Sequence, residues 1–179
     1  MKDEESMKNR HRVAGLLLAG ATSTAFVVAG QPAHAAPRFF TIQNFGSGKC
    51  IQPLPANSAD TGVQLVQEPC TGSAAQHWSP ISLGGGNYQF LNQGTGGCMD
   101  AHGANVNGTP VDTFPCSGIS NQKWNVAPSI PNAVPTRIVS KVSGGSRCLD
   151  VSGGSLADGG RIQIYNCTND NAAQAWLIR

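Results

Sequence analysis

The chain has 179 residues, of which 12% are charged, with 12 Lys and Arg against 10 Asp and Glu for a formal net charge of +2. So even a balance, with no basic run, argues against nucleic acid or an anionic membrane as partner. Six cysteines, 22 glycines and scattered β-branched residues point instead to a loop-rich all-β domain.

The first element in chain order is not fold. Met1 to Arg12 is polar and mostly basic, Val13 to Val28 is apolar and small, and Ala33-His34-Ala35 is a small-residue cleavage signal. This is the pattern of a secretory leader over residues 1–35; the apolar run is too short and too rich in Gly, Ser and Thr for a transmembrane helix. Asp3, Glu4 and Glu5 are unusual in a leader's basic start. Translation from Met7 gives a cleaner one, and N-terminal peptide mapping of the precursor decides between the two. Cleavage after Ala35 leaves residues 36–179, a length that suits one domain, with eight Lys or Arg against seven Asp or Glu. Secretion is expected, and it is the setting in which disulfides persist.

The remaining elements come in three rounds. Phe40-Thr41-Ile42-Gln43, Tyr88-Gln89-Phe90-Leu91 and Arg137-Ile138-Val139-Ser140 read as short strands between Gly, Asn, Ser and Pro turns, and no stretch keeps a helical period over three turns. Gln-x-Trp then recurs as Gln76-His77-Trp78, Gln122-Lys123-Trp124 and Gln174-Ala175-Trp176, accounting for all three tryptophans at intervals of 46 and 52 residues. A period in this range marks a repeat architecture whose units share one core. About four strands are expected in each repeat, over residues 39–80, 87–127 and 136–178. Loose connections are expected at Ser79 to Asn87 and at Ala127 to Thr136.

The cysteines keep the same interval. Cys50 and Cys70, Cys98 and Cys116, and Cys148 and Cys167 are separated by 20, 18 and 19 residues. Six cysteines allow 15 pairings, and the threefold repeat selects the one that closes each unit with its own bridge. The competing reading is free thiols or a metal site; no C-x-x-C occurs and the four histidines lack ligand spacing. Within the units, Gly62-Val63-Gln64-Leu65-Val66 aligns by eye with Pro110-Val111-Asp112-Thr113-Phe114 and Arg161-Ile162-Gln163-Ile164-Tyr165.

Three Q-x-W repeats, C-x-D-type starts and one cysteine pair per unit resemble the ricin B-type lectin family. The resemblance implies a β-trefoil of three repeats with pseudo-threefold symmetry, and it covers about Phe39 to Ile178. It also implies sugar ligands held by the Asp of C-x-D, an aromatic before the second cysteine, and the Asn before Gln-x-Trp. A carboxylate accepts two neighbouring hydroxyls, an amide offers donor and acceptor, and an aromatic face covers the apolar face of a sugar ring.

Carried over by residue, the middle unit supplies Asp100, Phe114, Asn121 and Gln122, with Asp112 where the family often has Gln. Two close carboxylates repel unless one is protonated or turned away. The third unit supplies Asp150, Gln163, Tyr165 and Gln174; Ala173 replaces the Asn, and Asn171 is a candidate substitute. The first unit has Gln52, Val66 and Ala75 at these places and is expected to be structural. The tryptophans are expected to be core anchors, and the Gln partners to tie loop backbone as well. His77 and His102 are expected to be surface residues without a role.

The function expected is a secreted lectin, without catalysis, cofactor or metal, binding galactose- or xylose-containing glycans weakly and gaining from multivalency. An enzyme is disfavoured because no glycosidase carboxylate pair or Ser-His-Asp set stands out. The alternative is a protein-interaction or receptor-binding subunit of a multi-chain secreted toxin or enzyme. It would use an apolar strip of Ile51, Pro53, Leu54, Pro55 and Val66. A trefoil with no partner is a third reading.

Overall fold

The computed structural model describes residues 37–127 and 130–179; the leader expected over residues 1–35 and its start site lie outside them. The first unit holds β1 (Phe40–Asn44), β2 (Cys50–Pro53), β3 (Val63–Glu68) and β4 (His77–Gly84). The middle unit holds β5 (Asn87–Asn92), β6 (Cys98–Asp100), β7 (Thr109–Pro110), β8 (Asp112–Phe114) and β9 (Trp124–Val126). The third holds β10 (Ile138–Ser140), β11 (Arg147–Val151), β12 (Gly160–Asn166) and β13 (Trp176–Ile178). The expectation of four strands per unit holds, with the third strand of the middle unit divided at Val111, beside a proline that has no N–H to donate.

All pairings are antiparallel. β1 pairs with β4, β4 with β5, β5 with β9 and β9 with β10. Thr136 bridges to Trp176, and β13 returns to β1, so this ring has no free edge to template association. The three hairpins β2–β3, β6–β8 and β11–β12 cover one end of the ring and pair with each other through β3, β7, β8 and β12. This is the β-trefoil that the repeats imply.

The repeat explains the core. Trp78, Trp124 and Trp176 have no exposed surface and pack with Ile42, Phe90, Ile138 and other buried side chains. A buried indole needs an acceptor for its N–H. Each tryptophan finds the same one, the carbonyl one residue past its unit's first cysteine: Ile51 at 3.2 Å, Met99 at 3.1 Å and Leu149 at 2.9 Å. The disulfides are Cys50–Cys70, Cys98–Cys116 and Cys148–Cys167, one per unit, each with Cα atoms 5.1 Å apart.

The connection from Ser79 to Asn87 is not loose. β4 runs on to Gly84 and pairs with β5 from Trp78 to Gly84, with one bulge at Leu83. Only Gly84, Gly85 and Gly86 turn, all in the left-handed region that glycine adopts without steric cost.

The three hairpins meet on the pseudo-threefold axis at Leu65, Val111 and Ile162. The Gln64 amide nitrogen donates to all three of their carbonyls, at 2.7, 2.9 and 2.9 Å. Gln64 Oε1 accepts from the Arg161 guanidinium at 3.1 Å. The three residues that precede the axial positions are thus Gln64, Pro110 and Arg161, three different chemistries at one symmetric station.

Candidate functional site

The third unit carries the best-formed site. β11 and β12 place Asp150 opposite Gln163 and Cys148 opposite Tyr165. Asp150 and Gln163 therefore share one side of the hairpin, with Tyr165 two residues further on the same side. Together with Gly153, Gly154, Asn171 and Ala173 they line a pocket of about 270 Å³. The Asp150 carboxylate is only 5% exposed; Oδ1 accepts from Gln163 Nε2 at 2.8 Å and Oδ2 from Gln174 Nε2 at 3.0 Å. Burial raises its pKa above the usual carboxylate value, and the two amide bonds hold that rise back. Each oxygen keeps a lone pair for a ligand hydroxyl. Tyr165 is 43% exposed and offers the apolar face.

Asn171, the candidate substitute for the Asn missing at Ala173, lines this pocket. Its side chain is also a local brace: Oδ1 accepts from Ala173 N and Nδ2 donates to Thr168 Oγ1, both at 3.0 Å. Gly153 and Gly154 were not foreseen. Both have positive φ, 65° and 63°, so the backbone turns tightly here with no side chain to fill the pocket. The signal available in the sequence was the Gly-Gly pair shortly after Cys-x-Asp.

In the middle unit Asp100 faces Asp112 and Cys98 faces Phe114. Phe114 is 43% exposed, while the two aspartates are 4% and 3% exposed. Burial raises the pKa of both carboxyls; for Asp100 the Gln122 amide is the strongest opposing influence, and for Asp112 it is His102. The Asp100 charge pushes Asp112 further up. The expected repulsion persists and His102 opposes it: Asp112 Oδ2 lies 2.5 Å from His102 Nδ1, while its Oδ1 is buried without a partner. His102 is therefore not the unengaged surface residue expected, although its side chain is largely exposed. Asn121 sits beside the turn at Gly103, and it helps to hold back the rise in the Asp100 pKa. Among the described residues no cluster of three or more His, Cys, Asp or Glu is placed to hold a metal ion.

A family model for the ricin-type beta-trefoil lectin domain matches residues 38–176. The chain belongs to this family. No curated protein matches it at a significant level. Among solved structures it is similar to the designed threefold-symmetric protein ThreeFoil (24% identity, TM-score 0.71, covering 78% of this chain and 96% of that one). It is also similar to the exo-β-1,3-galactanase 1,3Gal43A from Clostridium thermocellum (27% identity, TM-score 0.70, covering 78% of this chain but 29% of that one). A third is a Macrolepiota procera ricin B-like lectin in complex with lactose (19% identity, TM-score 0.65, covering 81% and 96%).

Three sequence expectations change within this ricin-type trefoil. Gln122 and Gln174 cannot touch a ligand, since neither has exposed surface. With Gln76 they hold the loop after each second cysteine, accepting from Thr71, Ser117 and Thr168 N and donating to Pro69, Pro115 and Asn166 O. They steady the site from below.

Val66 is not the first unit's counterpart of Phe114 and Tyr165. Cys50 faces Glu68, and Gln52 faces Val66, so Glu68 holds the aromatic's place. Glu68, like Phe114 and Tyr165, stands two residues before its unit's second cysteine, and the shift of two from Val66 keeps the inward and outward alternation intact. Finally, the proposed apolar strip is mostly core: Ile51, Pro53 and Val66 are buried, leaving Leu54 and Pro55 exposed.

Proposed function

We propose that the protein is a secreted, non-catalytic lectin that holds galactose- or xylose-containing glycans weakly at the middle and third units and gains affinity by engaging both. The observation that carries this reading is the third-unit pocket, where a buried carboxylate, a free amide oxygen and an exposed aromatic face converge. That combination suits a sugar ring, which has hydroxyl edges and apolar faces. It is supported by the lactose ligand of the Macrolepiota lectin and by the galactan chemistry of the Clostridium enzyme. The pockets are shallow, so much of a bound sugar stays in water and single-site affinity is low. Two sites on one polymer raise the effective concentration, adding a factor of about 100 or more.

The test is a glycan array with the purified protein beside two double variants, Asp100→Ala/Asp150→Ala and Phe114→Ala/Tyr165→Ala. The second pair removes exposed side chains and leaves the fold intact. Galactose- or xylose-terminated binding that both variants lose supports the reading. Binding that survives in both moves the site elsewhere. A folded, oxidised protein that binds no glycan overturns the lectin reading in favour of a protein partner, and a polymer bound no better than its monosaccharide removes the multivalent part.

A further inference from the structure

A second pocket, about 470 Å³, is larger than the one that holds Asp150 and Tyr165. It lies on the other side of the 3-10 turn Ala172–Gln174, between that turn and the chain reversal after β1, and is lined in part by Phe45, Arg137, Thr168, Asp170, Asn171 and Ala172. Asn171 borders both pockets. Ala172 lines the larger one and Ala173 the smaller, so a turn of backbone with two small side chains lies between them.

The wall contributed by Phe45 breaks the threefold pattern. Phe45 N bonds to Ala175 O, Gln93 N to His77 O and Lys141 N to Lys123 O, at 2.8, 2.9 and 2.9 Å, so these three residues occupy one station in the three units. Two are polar, as an exposed turn requires. The third is a phenyl ring left 58% exposed, beside the one unit whose sugar pocket is best formed. Around it stand a guanidinium, a carboxylate, a hydroxyl and an amide. The Arg137 guanidinium is steadied by Asn169 Oδ1 at 3.1 Å and has further N–H donors to give. An aromatic face ringed by donors and acceptors repeats, on a larger scale, the chemistry of the Tyr165 pocket, and its volume falls in the range of small-ligand sites.

We propose that this groove is a second subsite, which takes the adjoining sugars of a glycan chain whose first ring lies on Tyr165. The third unit then reads oligosaccharides rather than single sugars. The inference rests on the lectin reading of the Tyr165 pocket. Phe45 supplies the second stacking platform, Arg137 and Asp170 engage ring hydroxyls, and Asn171 touches the chain where it crosses that turn.

The test compares β-1,3-galactotetraose with galactose, and xylotetraose with xylose, by calorimetry. Every protein carries Phe114→Ala so that the middle unit adds no avidity. The better-bound tetraose is expected to exceed its own monosaccharide by about tenfold or more. Phe45→Ala should abolish that gain and leave monosaccharide affinity unchanged, whereas Phe45→Tyr should keep it. Tyr165→Ala should weaken both ligands. Phe45 is exposed, so an unchanged melting midpoint is expected and checks that the fold is intact. A length gain that survives Phe45→Ala, or no gain at all while Tyr165-dependent monosaccharide binding persists, overturns the second subsite alone. No dependence on Tyr165 for either ligand overturns the reading beneath it.

Discussion

The first and third units are built on the same lattice and differ in what they leave for a ligand. In both, the Gln of Gln-x-Trp holds the loop after the second cysteine and donates to the residue two past the first cysteine. That acceptor is Gln52 Oε1 at 2.8 Å in one and Asp150 Oδ2 at 3.0 Å in the other. Gln52 keeps the structural half of the aspartate's work and gives up the charge. Beside it, Glu68 stands where Tyr165 gives an aromatic face, and Val66 stands where Gln163 gives an amide. Gln-x-Trp is thus a mark of fold, and on the proposed reading the residues that face one another across each hairpin decide whether a unit binds.

The largest expected effect sharpens this contrast through the disulfides. Replacing both cysteines by serine in the first unit (Cys50, Cys70) or the third (Cys148, Cys167) should cost about 3 kcal/mol in either case, because the closed loops are of nearly equal length. Only the second replacement should weaken glycan binding. Guanidinium denaturation and calorimetry on the two variants measure this; an unchanged denaturation midpoint in either would break the equivalence. A smaller effect is expected from Gln76→Ala and Gln174→Ala, each of which strands buried backbone groups at about 1–3 kcal/mol. The stability losses should match, while sugar affinity falls for Gln174→Ala alone, since that amide also orients Asp150. Equal loss of affinity in both would show that the first unit binds after all.

The smallest effect concerns pH and the middle unit, which lies between the two extremes. Asp100, Asp112 and Asp150 all have folded pKa values above the ordinary 3.8, chiefly through burial. A carboxyl raised in this way holds its proton more tightly when folded. These groups therefore penalise the fold above their raised values, and the penalty fades as pH falls through those values towards 3.8. Asp112→Asn should make the protein more stable at pH 7, with the advantage shrinking as the pH falls towards 3.8. Denaturation midpoints at pH 4, 5.5 and 7 would test this. A variant less stable at pH 7 would mean that the His102 contact outweighs burial.

The fold was legible because its signals are local and recur three times: three tryptophans and six cysteines at matched intervals admit few arrangements. Asp100, Asp150, Phe114 and Tyr165 were legible for the same reason, each lying at a fixed step from a cysteine. Register was less so. Alternation along a strand has period two, so it does not distinguish Val66 from Glu68 as the aromatic's counterpart; cross-strand pairing does, and so does the step of two residues to the second cysteine that Glu68 shares with Phe114 and Tyr165. Burial of Gln122 and Gln174 was equally hidden, since an amide that braces a loop and one that binds a sugar look alike in sequence. His102 and Asp112 meet across a turn ten residues long, which no spacing rule marks. Phe45 becomes conspicuous only when set against Gln93 and Lys141, and that comparison needs the three units superposed.

The Gln64 amide carries a different implication, for ancestry. Three carbonyls converge on it, and a primary amide has two hydrogens; one such group fits on the axis, and three cannot. A homotrimer of identical single units would bring three copies of the same residue to that point, forcing them to crowd or all to withdraw. Fusion into one chain removes the constraint, letting one unit keep the amide, another take proline and the third supply the guanidinium that holds the amide in place. At the centre of the barrel the three units therefore carry three different residues with three different tasks, which one residue repeated three times would not divide.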